Sequence, residues 1–146
     1  MFINGKEYDI RPGADLYGAD LRSADLSGAN FGNTESICPE GFFNAFKKTV
    51  TKEGAEFIVQ LEIPKTAKRL NAIGSRKIRV ERAKVVAHFT KDRKRAKGIT
   101  STGKTNKGIY YKDGEMVRPD KFDDDVRVEC SSGIHCFLTF KEAAAW

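Results

Sequence analysis

Residues 55–63, Ala-Glu-Phe-Ile-Val-Gln-Leu-Glu-Ile, decide the fold of the larger part of this chain. Apolar residues occupy every second position from Phe57 to Ile63, and Ile58 is the one apolar residue between them. A period of two is typical of a β-strand with one buried face. Pro64 has no N–H to donate to a sheet ladder, so we expect the strand to end there. The pattern predicts a β-sheet protein in which Ile58 lies on the outer side.

Further strands are predicted on both sides of this stretch. An apolar run over residues 42–46 suits either a strand or a helix, and we favour the strand. Residues 76–89 also alternate, but their apolar positions change parity, which predicts a bulge or a corner near residues 81–82. Residues 90–107 are basic and poor in apolar side chains, so they predict a long surface loop.

The C-terminal residues predict additional strands and one helical turn. Residues 109–117 predict a hairpin on an Asp-Gly turn, and residues 126–130 and 133–138 each predict a short strand. Thr139 and Glu142 have the spacing of a capping box ahead of a run of alanines. The fold class is therefore α+β and β-rich: a mixed or antiparallel β domain with little helix.

The N-terminal residues carry a different pattern, with a period of five. In residues 13–32, alanine recurs as Ala14, Ala19, Ala24 and Ala29, each followed by Asp or Asn and then by Leu or Phe. Neither a helix nor an ordinary strand has this period, so a small structural unit repeats. The stretch resembles the pentapeptide-repeat family, which implies a right-handed β-solenoid coil. A single coil cannot bury its own faces, so we expect it to cap the β domain or to stack on another copy.

We expect the chain to have two parts. Residues 1–37 hold a small hairpin, with its turn at residues 4–5, and the repeat coil; residues 38–146 hold the β-rich domain. The composition is 40% hydrophobic and 32% charged, and no apolar run approaches the roughly 20 residues that span a membrane. No signal peptide is visible, and three cysteines favour a reducing compartment. These features predict a cytoplasmic protein without a membrane partner.

The second half carries three motifs: Leu61-Glu62-Ile63-Pro64 followed by Ala67-Lys68-Arg69, Arg76-Lys77-Ile78-Arg79, and Glu129-Cys130-Ser131-Ser132-Gly133-Ile134-His135. They are similar to a domain of unknown function found in phages, bacteria and giant viruses, often beside pentapeptide repeats. The resemblance implies a phage or viral origin, and hence the host cytoplasm. It implies no particular activity.

Charge is strongly segregated along the chain. Residues 1–40 carry a net charge of −4, residues 41–107 carry +13, and residues 108–146 carry −3. A basic middle between acidic ends indicates either an anionic partner or neutralisation within the fold.

The basic middle supplies most of the predicted ligand-binding residues. Arginine and lysine suit a nucleotide, a nucleic-acid backbone or an acidic protein, and aromatic rings can stack on a base. The predicted set, joined by the basic loop at residues 91–107, is Arg69, Arg76, Lys77, Arg79, Arg82, Lys84, Tyr110, Tyr111 and His135.

Other residues offer metal-binding or nucleophilic chemistry. Cys38, Cys130, His135 and Cys136 are zinc-type ligands, but adjacent residues of a strand point to opposite faces, so no metal is predicted. Cys130 and His135 have the chemistry of a nucleophile and a base, but no third group is evident. Residues 123–125, three aspartates, suit either a divalent cation or a solvated turn.

We expect a non-enzymatic, phage-type binding protein that engages a host protein or an anionic nucleotide-type ligand through a basic face, with counter-defence inhibition as one use. The alternative is an enzyme acting on a nucleotide or NAD, with His135 and a carboxylate such as Glu129 or Glu62 in its site. A second alternative is nonspecific nucleic-acid binding, which salt would weaken. No cofactor is predicted, and a homo-oligomer is left open.

Overall fold

A computed structural model gives the structure of residues 2–3, 6–7 and 37–146. The predicted repeat coil at residues 13–32 and the turn at residues 4–5 lie outside these described residues. In chain order the described elements are β1 (Phe2–Ile3), β2 (Lys6–Glu7), β3 (Phe43–Val50), β4 (Glu56–Ile63), β5 (Arg69–Asn71), β6 (Ile78–Val80), β7 (Ala83–Phe89), β8 (Arg95–Ala96), β9 (Thr100–Thr102), β10 (Tyr110–Lys112), β11 (Met116–Val117), β12 (Ile134–Cys136) and α1 (Phe140–Ala145).

All strand pairs that the structure describes are antiparallel, and most belong to one large sheet. Strands β1 and β2 pair with Ile3 opposite Lys6, as the predicted N-terminal hairpin requires. The large sheet has seven strands in the order β10-β9-β3-β4-β7-β11, with β8 also paired to β7. Strands β3 and β4 pair from Phe43 opposite Ile63 to Val50 opposite Glu56. The strands predicted at residues 42–46 and 55–63 are confirmed, as is a β-rich fold with one short helix.

The large sheet curls because its two end strands are consecutive in the chain. A tight turn joins β10 to β11, and there Gly114 has a φ of 87°, which favours glycine. Gly114 N donates to Val85 O and Val85 N donates to Glu115 O, both at 2.8 Å, so the turn is held against β7. The predicted hairpin of β10 with β11 is wrong: the turn exists, but β10 pairs with β9 and β11 with β7.

A second sheet of three strands, in the order β12-β6-β5, packs against the first. The chain passes from β6 into β7 at residues 81–82, which form the corner that the change of parity predicts. Side chains from both sheets share one core, and its fully buried members include Val59, Leu61, Ile78 and Val80. The helix α1 covers the other side of the large sheet.

The helix explains one wrong expectation, that Ile58 lies on an outer face. Ile58 is fully buried in a cluster with Phe137, Phe140 and Ala143. Helix α1 begins where predicted: the side chain of Thr139 accepts from Glu142 N, and the Glu142 side chain accepts from the backbone N–H of Thr139. Strand β4 is therefore buried on both faces, and helix α1 covers one of them.

Two other expectations are wrong. Residues 90–107 are not one long loop, because they contain β8 and β9 and a turn in which Thr90 N donates to Lys94 O at 2.9 Å. Arg93 in that turn has a φ of 64°. Residues 126–130 do not form a strand, although the strand predicted at residues 133–138 is present as β12.

Candidate functional site

Arg79 lies inside the protein, not on an exposed basic face. Its side chain is 1% exposed and faces the segment that precedes β12. The guanidinium donates to the carbonyl oxygens of Asp123 at 2.7 Å, Asp125 at 2.9 Å and Val128 at 2.8 Å. Burial lowers the pKa of Arg79, but arginine stays charged at any physiological pH. Within residues 126–130, the carbonyl oxygens of Val128 and Glu129 accept hydrogen bonds from Arg79 and not from a neighbouring strand.

Lys77 is also enclosed, and Glu129 is its partner. Lys77 is 5% exposed and Glu129 8% exposed. Lys77 Nζ lies 3.7 Å from Glu129 Oε1, 3.2 Å from Cys130 Sγ and 4.5 Å from the centroid of the Trp146 ring. Ser75 Oγ donates to the same carboxylate at 2.7 Å. The structure therefore places Glu129 in an internal ion pair.

Three more of the predicted cations are engaged within the chain: Arg69 donates to the carbonyl oxygens of Pro64 and Ala67, Arg76 pairs with Glu142, and Arg82 pairs with Glu81 and Thr66. Tyr111 is 1% exposed and belongs to the core. Lys84 is exposed on β7. The exposed basic face expected over Arg69–Lys84 is thus not present as a continuous surface.

His135 lies half-buried on β12, opposite Arg79 in the strand register. Its Nε2 atom is buried and has no hydrogen-bond partner among the described residues. Burial, together with the charges of Lys47 and Lys77, lowers the pKa of His135 to about 3. The imidazole is therefore uncharged at neutral pH.

The cysteines do not converge with His135 on a metal site. Burial raises the pKa of Cys136 to about 12, whereas Cys130 is exposed. Within residues 37–146 and the two short N-terminal strands, no group of three or more His, Cys, Asp or Glu side chains is placed to hold an ion. Asp123 and Asp125 instead shape the turn, since Asp123 Oδ1 accepts from Asp125 N at 2.9 Å.

An open cleft lies where the β3–β4 turn meets β9 and the loop that follows it. Its volume is about 790 Å³. The lining residues are Val50, Thr51, Lys52, Glu53, Gly54, Thr100, Ser101, Thr102, Lys104, Lys107 and Tyr110. Tyr110 is 63% exposed and belongs to the predicted ligand-binding set, and Lys104 and Lys107 belong to the predicted basic loop at residues 91–107. We call this feature the lysine cleft.

The lysine cleft carries a surplus of positive charge. Lys52, Lys104 and Lys107 line it together with a single carboxylate, Glu53, and all three lysines are exposed. Glu56 lies beside it, 3.9 Å from Lys104 Nζ, and a hydrogen bond from Lys91 lowers the pKa of this glutamate. Threonine hydroxyls supply further hydrogen-bonding groups along the wall. The lining therefore suits an anion that also offers hydrogen-bond acceptors.

A buried chain of hydrogen bonds, the His88 relay, lies beneath this cleft. His88 Nδ1 lies 2.7 Å from Asp113 Oδ1, and Nε2 lies 2.8 Å from Ser101 Oγ. Ser101 Oγ is in turn 2.9 Å from Thr49 Oγ1. A carboxylate can only accept, so Nδ1 carries the proton. The order matches a nucleophile, a base and an orienting acid, but Ser101 is 1% exposed and its hydroxyl is bonded to His88 and Thr49.

Sequence reasoning missed the His88 relay because its members come from four separate segments. Alternation along β7 places His88 on the side opposite Val85. The strand has a bulge there, since Gln60 pairs with Ala87 and Leu61 pairs with Val85, which leaves one extra residue between them. The bulge turns His88 inward. No local motif gives that signal.

Sequence reasoning also missed part of the lysine cleft, because the lining residues come from separate segments of the chain. Lys104 and Lys107 belong to the basic loop noted in the sequence, but Lys52 and Thr51 come from the β3–β4 turn. The two segments meet through the pairing of β3 with β9, where Val50 lies opposite Thr102.

Comparison with known proteins gives two matches. The model of a family of unknown function (DUF5758) matches residues 34–143. The model for pentapeptide repeats (8 copies) matches residues 12–35. No curated protein and no solved structure matches the chain. In the described part of the chain, no helix has the length and apolar character needed to cross a membrane.

Proposed function

Because this chain belongs to a family of unknown function, DUF5758, we propose its function from the chemistry of its own lysine cleft. The chain is a non-enzymatic binding protein for an anionic, nucleotide-type ligand. The observation that carries this proposal is the pairing of three exposed lysines with an exposed tyrosine around one cleft of about 790 Å³.

The lysines provide the phosphate-binding part of the site. Ammonium groups hold phosphate oxygens by charge-assisted hydrogen bonds, which are about twice as strong as neutral ones. Lys52 and Lys107 have no ion-pair partner among the described residues, so their ammonium groups are available to a ligand. Lys104 Nζ lies 3.9 Å from Glu56 Oε1, which is a long distance for an ion pair. Salt should weaken such binding because these groups are exposed.

Tyr110 provides the base-binding part. It is 63% exposed on β10, although its neighbour Tyr111 is buried. Stacking of a base on an aromatic ring contributes about 1–3 kcal/mol and tolerates different bases. The ring and the lysines border the same cleft, so one ligand can use both.

The size of the cleft favours a small ligand over a host protein. Small-molecule sites occupy roughly 300–1,000 Å³, and this cleft falls within that range. Of the cations between residues 69 and 84, Lys77 and Arg79 are buried, and Arg69 and Arg76 bind carbonyl or carboxylate groups of the same chain. A host protein and a nucleic acid remain the competing outcomes.

We also propose the finer features that the sequence suggests. The N-terminal repeats form one solenoid coil that caps the β domain, with the boundary near residue 37. The protein is of phage or viral origin and acts in the host cytoplasm, where sequestering a nucleotide signal would serve counter-defence. These proposals are supported by the repeat match and by the sequence motifs alone.

Nuclear magnetic resonance can test the binding proposal residue by residue. Uniformly ¹⁵N-labelled protein is titrated with ATP, with pyrophosphate and with adenosine, each at constant ionic strength set by sodium chloride. We expect ATP to shift the amides of residues 51–54 and 100–110. Pyrophosphate should shift the lysine side of that set, and adenosine should shift the surroundings of Tyr110. An absence of shifts with ATP at millimolar concentration, or shifts confined to other residues, would overturn the proposal.

A further inference from the structure

Strand β5 ends the small sheet with an edge that no other strand covers in the described part of the chain. The sheet order is β12-β6-β5, and Leu70 of β5 pairs with Arg79 of β6. The opposite end of this sheet is continued, because Phe137, next to β12, forms a bridge with Phe46 of β3. Proteins usually cover an open edge with another segment or a partner, since it is a template for unwanted pairing.

Two exposed apolar side chains flank this edge. Phe42 is 59% exposed and Val126 is 44% exposed. Phe42 follows Gly41, whose carbonyl oxygen accepts from Arg69 at the start of β5. Val126 O accepts from Ile73 N at 3.0 Å, just beyond the end of β5. We call the area formed by β5, these two side chains and the β4–β5 turn the β5 surface.

The rim of the β5 surface is cationic. Lys65 and Lys68 lie in the β4–β5 turn, and both are exposed. The nearby carboxylate of Glu81 accepts from the backbone N–H of Lys68 but forms its ion pair with Arg82. Among the described residues, neither of the two lysines has an ion-pair partner. The β5 surface therefore suits an occupant with apolar and acidic side chains.

The chain itself arrives at this surface from the N-terminal repeats. Ile37 N donates to Asn71 Oδ1 of β5 at 3.0 Å, and Arg69 Nη1 donates to Pro39 O at 3.2 Å. Phe31, the last apolar position of the period-five pattern, precedes Ile37 by six residues. Six extended residues span at most about 21 Å. The end of the repeats is therefore tethered within that distance of β5.

The repeats have the chemistry that the β5 surface lacks. Residues 13–36 contain four carboxylates and one arginine, and the apolar side chains of the pattern recur every five residues. A single coil cannot bury its own faces, so its apolar positions need a partner surface. The two parts of the chain are complementary in charge, and each has apolar groups to cover.

We propose that the repeats of residues 13–32 dock on the β5 surface. This inference rests on the proposed cap and names the face that it covers. Apolar repeat positions pack on Phe42 and Val126, and carboxylates of the repeats face Lys65 and Lys68. The competing occupant is a second copy of the chain.

Zero-length cross-linking of the full-length protein tests the proposal. A carbodiimide joins a carboxylate to a lysine amine as an amide, and the water that is lost converts the reagent into a urea. Equal amounts of ¹⁴N- and ¹⁵N-labelled protein are mixed first, so that mass spectrometry of the digested peptides separates links within a chain from links between chains. The Glu56–Lys91 pair, with Oε2 and Nζ 2.6 Å apart, is the internal positive control.

We expect Lys65 or Lys68 to be linked, within one chain, to carboxylates of the repeats and of the residues that follow them: Asp15, Asp20, Asp25 or Glu35. Lys65→Arg/Lys68→Arg keeps both charges and should abolish these links while leaving the Glu56–Lys91 link unchanged.

Links from the repeats to other lysines alone, such as those of the lysine cleft, would preserve the cap but overturn its place on the β5 surface. Links only between ¹⁴N and ¹⁵N chains would show that the repeats stack on a second copy, and would overturn both the docking site and the cap. The absence of any link from the repeats, in a sample where Glu56 and Lys91 are joined, would overturn both as well.

Discussion

His88 on β7 and Ser101 on β9 are joined by a 2.8 Å hydrogen bond between Nε2 and Oγ, although these strands are not neighbours in the sheet. The bond is possible because the sheet curls until β7 approaches β9 and β10. It also fixes the cleft wall, since Thr100, Ser101 and Thr102 border the lysine cleft. A buried polar contact thus connects the closure of the sheet to the geometry of the candidate site.

The first prediction concerns the His88 relay. His88→Phe preserves the bulk of the ring but removes the His88 partner of the partly exposed Asp113 carboxylate and leaves the buried Ser101 hydroxyl with Thr49 alone. We expect the free energy of unfolding in urea to fall by about 1–3 kcal/mol, because a buried polar group that loses a partner costs roughly that much. The exposed Lys97→Ala variant is the control and should change stability by less than about 0.5 kcal/mol. Equal stability of His88→Phe and wild type would show that the relay contributes nothing.

The second prediction concerns Arg79, whose planar guanidinium binds carbonyl oxygens of three different residues within 2.9 Å. Arg79→Lys keeps the charge but cannot reach them all, since an ammonium group lacks the forked geometry. Hydrogen exchange at residues 123–130 should accelerate markedly in this variant. The conservative change at an exposed position, Arg95→Lys, should leave those rates unchanged. Unaltered protection in Arg79→Lys would show that another contact orders the segment.

A third prediction follows from the close approach of Gly133 to Arg79. A Cβ atom at position 133 would lie 2.3 Å from Arg79 Cγ, and Gly133 has a φ of 147°. Gly133→Ala should therefore destabilise the fold by displacing the arginine, with a loss of about 2 kcal/mol or more in thermal or urea unfolding. Gly54→Ala is the matched control, because it shares a positive φ but has open space around its Cβ. A smaller loss in Gly133→Ala than in Gly54→Ala would contradict the steric argument.

The fourth prediction concerns acid stability and His135. Because the folded protein lowers the pKa of this imidazole to about 3, the unfolded chain binds a proton first, below about pH 6.5. The stability that the neutral imidazole contributes is complete above that pH and is lost as the pH falls toward 3. His135→Gln should therefore lose less stability than wild type between pH 7 and pH 4. Parallel stability curves for the two proteins would rule out this role.

The β-strands were largely predictable because local alternation carries their signal. The patterns at residues 55–63 and 133–138 predicted β4 and β12, and the capping box at Thr139 predicted α1. The change of parity at residues 81–82 marked a real corner. In each of these elements, the residues that create the sequence pattern also make the packing contacts or hydrogen bonds that hold the element in place.

The errors arose where distant residues decide the outcome. The sequence pattern places Ile58 on an exposed face, but helix α1 covers it. Residues 126–130 have the pattern of a strand, but the carbonyl oxygen of Val128 accepts a hydrogen bond from Arg79. Predicting the candidate site also required knowledge of contacts between residues that are far apart in the sequence. From the sequence, the cations between residues 69 and 84 look available to a ligand. In the structure, most of them bind other groups of the same chain, and the lysine cleft lies elsewhere.

The most direct test of the account is the affinity for ATP, measured by isothermal titration calorimetry at low salt. Lys104→Glu/Lys107→Glu reverses two charges in the lysine cleft, and Arg95→Glu/Lys97→Glu makes the same change in net charge on β8 and just beyond it. We predict that wild type binds ATP, that the cleft variant binds at least about tenfold more weakly, and that the β8 variant binds nearly as well as wild type. No binding by wild type, or equal weakening in both variants, would contradict a nucleotide-type ligand in the lysine cleft.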